Sequence, residues 1–221
     1  SIRAVLIPLF SKADSEGSMG NAMHTYNSAV NKCVTLVFPI LLFCAFFAKE
    51  IMVFIYGAQY EASGSYLRFF IIRDFISCLP FFSVLMAIGS TRFYMLMHVI
   101  GVFFIWGFDF LIAQIGLPPT SFVAVSSAFQ LLLSVSSFLF IYKKTNVNLI
   151  NKEVTSNMLK ITIHCSIILF LLLLATKQFL TTTPVIISLI VAGLFFYGVI
   201  ILSSRLIKVD YLESLKLLLK R

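Results

Sequence analysis

The stretch MLMHVIGVFFIWGFDFLIAQIG, residues Met95–Gly116, is apolar on every helical face and carries a single charge, Asp109. A helix at a water-facing surface keeps a polar side, and a strand of a membrane barrel alternates polar with apolar residues; this run does neither. It is close to the roughly 20 residues that a helix needs to cross about 30 Å of hydrocarbon. A helix also closes its backbone hydrogen bonds within one segment, which lipid requires. The run therefore reads as a transmembrane helix.

Similar runs lie on both sides of it. The sequence places full spans at about 30–55, 64–89, 93–115, 119–142, 158–179 and 184–205, separated by GAQYEASGS (57–65), GST (89–91), GLPPTS (116–121), KKTNVNLINKEVTSN (143–157) and TTTP (181–184). Glycine and proline mark these connections as turns. Pro39 and Pro80 fall inside expected spans, where a missing N–H and a ring clash should bend or break the helix. The chain as a whole fits: of 221 residues 60% are hydrophobic, 24 are phenylalanine and only 12% are charged. Soluble domains are nearer one quarter charged.

Before the first full span, SIRAVLIPLFSK offers about ten apolar residues, half of what a span needs. A polar stretch, 11–32, follows and reads as a loop that ends in the start of an amphipathic helix. The sequence expectation is an all-α polytopic membrane protein with about six full transmembrane helices plus one partial helix. Residues 1–11 form the end of a truncated helix, 12–205 a six-helix transmembrane bundle and 206–221 a cytoplasmic tail, which lies on the inner surface as a short helix or is solvated.

The net charge of +8 is distributed as topology, not as a nucleic-acid surface. Cytoplasmic loops hold the excess of lysine and arginine. Of the 17 basic residues, 12 fall in or just beside the amino-terminal loop (Lys12, Lys32), the 89–91 turn (Arg92), the 143–157 loop (Lys143, Lys144, Lys152, Lys160) and the tail (Arg205, Lys208, Lys216, Lys220, Arg221), and the alternate connections hold only Lys49 and Lys177. That parity puts the C-terminus in the cytoplasm. Arg3, Arg68 and Arg73 are left inside spans.

Charges at mid-span cost about 2.5–3.5 kcal/mol on insertion scales, so they usually face protein or a hydrated cavity. With a rise of about 1.5 Å per residue from Gly64, Arg68 is about 6 Å deep and Arg73 and Asp74 about 14–15 Å deep. Asp109 is about 9 Å from the outer end of the next span, and Arg3 about 12 Å from the inner end of the partial helix. Two readings remain. Either Arg73, Asp74 and Asp109 neutralise one another and fix helix register, with Arg68 an interfacial anchor, or the set lines a cavity and offers guanidinium to an anionic group. Arg3, Arg68, Arg73, Asp74 and Asp109 are thus the candidate substrate-binding residues.

Cys33, Cys44, Cys78 and Cys165 show no ligand spacing and read as small buried hydrophobes. His98 and His164 read as helix-to-helix hydrogen-bonding residues, and the serines of SSAFQLLLSVSS as packing residues. The sequence has no phosphate-binding glycine loop, no metalloprotease helix and no nucleophile elbow, so neither catalysis, metal nor cofactor is expected.

Five landmarks stand in order along the chain: AVLIPLFSKA, the proline-bearing TLVFPILLF, AKEIMVFIYGAQYEASGSYLRFF, LMAIGSTRFYM and LIAQIGLPPTSFVAVS. Together they resemble the C-terminal half of O-antigen and capsular polysaccharide flippases, the polysaccharide-transporter branch of the multidrug/oligosaccharidyl-lipid/polysaccharide exporter superfamily, with Gly57, Tyr60, Ala62 and Leu67 matching best and Pro118 and Pro119 departing from the family pattern. The resemblance covers most of residues 1–142. It implies the second bundle of a two-bundle exporter and transport of a polyprenyl-diphosphate-linked oligosaccharide across the bacterial inner membrane by alternating access. Membrane lipids and the glycan polymerase machinery are the further partners it implies. The alternatives are a cation-coupled multidrug exporter of the same superfamily, or a polytopic glycan polymerase or acyltransferase.

Overall fold

In the computed structural model, residues 2–16, 18–180, 185–207, 209 and 211 are described, with side chains except at 2–5, 21, 176–180 and 205–207. Among the described residues every regular element is helical: α1 (Ile2–Glu16), α2 (Met19–Phe46), α3 (Ala48–Tyr56), α4 (Ser63–Ser77), α5 (Phe81–Ala87), α6 (Thr91–Ile115), α7 (Thr120–Thr145), α8 (Lys152–Leu180) and α9 (Val185–Ile207), with one 3-10 turn at Ala58–Tyr60. Five helices are long and apolar enough to cross a membrane, and α4 with α5, bent by 42°, makes a sixth span if the pair counts as one. The protein is an all-α polytopic membrane protein.

Several expectations need correction. The polar stretch 11–32 is helical apart from a short interruption after Glu16, because its apolar residues recur on one face at helical spacing. Leu6, Phe10 and Ala13 are buried on α1, and Ala22, Tyr26 and Val30 on α2. The opening helix accordingly runs to Glu16, not to residue 11. Lys32, counted among loop charges, lies inside α2. At 28 residues α2 is about 42 Å long, more than the hydrocarbon thickness, and Ala22–Phe46 is the part of it apolar enough to cross.

Pro39 sits within an unbroken α2, whereas the break comes later, at Phe47. Pro80 does break its span, between α4 and α5. The difference is local. At Pro80 the last α4 carbonyls find side-chain donors: Ser77 Oγ donates to the Arg73 carbonyl at 3.2 Å and Cys78 Sγ to the Asp74 carbonyl at 3.6 Å. Side chains that take over backbone carbonyls let a helix stop without orphaned groups. Of the cysteines, Cys78 and Cys165 are buried but Cys33 and Cys44 only partly so.

The contacts group the chain into two compact units. One comprises residues 1–30 and 72–151. In it α1 packs on α5, and α5 on α6 and α7. Phe10 meets Tyr26 edge to face, with ring centroids 5.8 Å apart, and Phe81 meets Phe138 at 6.2 Å. Phe93 and Phe140 stack at 4.0 Å across α6 and α7, and the ring of Phe129 lies where a side chain on Gly101 would project. Away from α7, α6 presents Phe103 and Trp106, 72% and 73% exposed, with Phe110 and Ile115 beside them.

The other unit comprises 31–71 and 152–221. Here α9 packs on α8 and on α3. Every fourth residue of the α8 face, Ile161, Cys165 and Leu169, is fully buried, as are Phe196 and Ile200 of α9 to within 1%. Phe43 of α2 stacks on Phe196 with centroids 5.7 Å apart.

Candidate functional site

Arg68 is positioned by a close helix crossing. Gly64, one turn earlier on α4, is buried against α3, and a β-carbon there would stand 2.8 Å from the Lys49 Cα. Only glycine allows that approach. One turn further along both chains, Arg68 Nε donates to the Ala45 carbonyl at 3.1 Å. Ala45 is in the last turn of α2, where carbonyls lack their regular partners and the helix dipole favours a cation. Arg68 therefore caps the helix that ends at the Phe47 break.

That bond uses Nε alone. Arg68 is exposed, and among the described residues no carboxylate lies within ion-pair distance of it. Among the described residues the bond to Ala45 is the polar contact its guanidinium makes.

Arg73 behaves differently. One of its terminal nitrogens is 3.6 Å from Asp74 Oδ1, with the two side chains 40% and 47% exposed. Neighbours on a helix diverge by about 100°, so this is a loose contact longer than a hydrogen bond. Asp109, on α6, does not join them: it makes no ion pair among the described residues, and its Oδ1 is enclosed with no hydrogen-bond partner. The expected neutralised cluster of Arg73, Asp74 and Asp109 is reduced to the Arg73–Asp74 contact. The side chain of Arg3 lies outside the described residues.

Two further polar contacts stand out. Lys49 Nζ and Glu61 Oε1, 3.1 Å apart, close the loop between α3 and α4. Next to Glu61, Tyr60 packs its ring on Tyr56 with centroids 5.6 Å apart, and both rings are exposed. In the other unit Lys144, read from sequence as a topological charge, donates to the Ile88 carbonyl at 2.7 Å and to Ser90 Oγ at 2.9 Å. It ties the turn after α5 to the end of α7. The signal for it was the shared side of the two loops, since 89–91 and 143–157 both fall on the cytoplasmic side of the charge pattern.

The histidines do not bridge helices as expected. His98 Nδ1 is 3.0 Å from the Tyr94 carbonyl of its own helix, and His164 Nδ1 is enclosed without a partner. Ser126 and Ser134 likewise turn to their own backbone four residues earlier. Among the described residues no three histidine, cysteine or acidic side chains gather as a metal site would require.

Comparison with protein-family models, with curated proteins and with solved structures found no match for the chain.

Proposed function

We propose that the chain is the C-terminal part of a flippase that moves a polyprenyl-diphosphate-linked oligosaccharide repeat unit to the outer leaflet of the bacterial cytoplasmic membrane, for O-antigen or another surface polysaccharide. Its C-terminus lies in the cytoplasm. The observation that carries this reading is Arg68, a guanidinium in an apolar span that is held through Nε and has no carboxylate partner among the described residues. A guanidinium fixed at one nitrogen keeps its other donors in the fork geometry that phosphate oxygens match. The sugar and diphosphate replace water with such donors, and the polyprenyl tail stays in lipid. The family resemblance in residues 1–142 supports the same reading.

The test uses the full-length protein with Arg68→Gln, scoring surface glycan and the lipid-linked intermediate on the inner side of the membrane. Loss of surface glycan with accumulation of the intermediate is expected. Normal export at wild-type protein levels overturns the proposal.

Asp109 favours a second reading. An enclosed carboxylate oxygen without a donor is the feature a cationic substrate would use, as in a cation-coupled multidrug exporter. Sensitivity to cationic dyes on deletion of the gene, with unchanged surface glycan, would select it.

A further inference from the structure

The loop between α3 and α4 places three kinds of group in one corner of the second unit. Tyr56 and Tyr60 form a tilted ring pair, 51° between planes, and remain 56% and 43% exposed. The Lys49–Glu61 pair is also exposed, at 48% and 63% of its side chains. Lys49 and Tyr56 are seven residues apart on α3 and so share a face, and Glu61 follows Tyr60 directly. Arg68 lies on α4, about 8 Å along the helix axis from its start at Ser63.

We propose that this corner holds the sugar end of the transported headgroup on the outer side, with the tyrosine rings under the first pyranose, Lys49 and Glu61 at its hydroxyls and Arg68 on the phosphate below. The inference rests on the flippase reading and adds to it a glycan-recognising surface. The chemistry is that of pyranose binding: the C–H face of a sugar packs on an aromatic ring, and its equatorial hydroxyls need donors and acceptors at the ring's edge. A tyrosine that only anchors a helix at the lipid headgroups needs its hydroxyl at that level and its ring in lipid. Here the rings pack on each other at the head of a turn and stand beside an exposed acid–base pair, an arrangement that anchoring leaves unexplained.

The test is binding of two radiolabelled probes, undecaprenyl diphosphate and undecaprenyl diphosphate N-acetylglucosamine, to the full-length protein in nanodiscs of phosphatidylethanolamine and phosphatidylglycerol. The wild type should prefer the sugar-bearing probe by roughly three- to tenfold, the scale of one or two ring contacts. The Tyr56→Ala/Tyr60→Ala variant should bind both probes equally, and the Tyr56→Phe/Tyr60→Phe variant, which keeps the rings, should retain the preference. Arg68→Gln should weaken both probes by the same factor. Equal binding of the two probes by the wild type, or a preference that survives in the alanine variant, overturns the glycan site and leaves the flippase reading standing. Absence of binding of either probe to the wild type overturns both. If the tyrosines only anchor the helix, the alanine variant will lose the two probes in parallel.

Discussion

Arg68 Nε lies 3.1 Å from the carbonyl oxygen of Ala45, so an arginine of one helix closes the broken end of another. A lysine cannot reproduce this. Its single ammonium either caps the carbonyl or meets a phosphate, whereas the guanidinium does both. Arg68→Lys should therefore keep the fold but bind undecaprenyl diphosphate at a level between wild type and Arg68→Gln. Arg68→Gln should lose roughly 1 kcal/mol of stability with the cap, and Arg68→Lys less, measured by thermal unfolding in detergent.

Gly64 sets the distance between α3 and α4. Since its added β-carbon would meet the Lys49 backbone at 2.8 Å, Gly64→Ala has to push the helices apart. The expected cost is about 1–3 kcal/mol, the usual range for overpacking. Gly107 on α6 has open space around its Cα, and Gly107→Ala should be neutral or slightly stabilising through helix propensity. Parallel melting curves of the two variants check the contrast.

Asp109→Asn separates a structural from a functional aspartate. Removing one member of a true buried pair strands the other charge and costs several kcal/mol. Asp109 has no such partner among the described residues, so expression and melting temperature of the variant should equal or exceed those of the wild type. A melting temperature lower by several degrees would show that the charge is structurally used.

Lys144 holds the Ile88–Ser90 turn through two donors. Lys144→Met preserves the length of the side chain and leaves the Ile88 carbonyl and the buried Ser90 hydroxyl without it, at an expected cost of about 1–2 kcal/mol. Faster proteolysis or hydrogen exchange confined to residues 85–92 is the readout.

Tyr211, beyond the last span, is buried, and burial raises its hydroxyl above the ordinary tyrosine range, with the nearby Cys165 adding to the effect. The folded state therefore keeps a proton that the detached state gives up. The docking of Tyr211 is at full strength below about pH 10 and weakens as pH rises beyond that value. An ultraviolet titration of tyrosinate should show a late component that shrinks by one tyrosine in Tyr211→Phe.

Much of this fold was legible because lipid forces long apolar runs into helices. Four of the six expected spans begin and end within a few residues of α6, α7, α8 and α9, and the Pro80 break was visible in the residue itself. The segment 11–32 was not legible as helix, since the rule that polar means loop fails where buried apolar residues such as Ala22, Tyr26 and Val30 recur at helical spacing. Pro39 does not break α2, and the break comes at Phe47, which no proline marks. In the candidate site the helical placement of Arg68, Arg73, Asp74 and Asp109 could be read from the sequence. The partners could not, because the Arg68–Ala45 bond joins residues 23 apart and depends on a backbone carbonyl that no side-chain pattern announces.

The exposed face of α6 carries Trp106, the only tryptophan in the chain. It lies about 14 Å from the end of its helix, near mid-bilayer, where tryptophan is unusual. This chain thus carries a single tryptophan fluorophore. Brominated or spin-labelled lipid tails will quench it in proportion to their access, so the same measurement shows whether fatty acyl chains or another polypeptide lie against α6 in the native membrane.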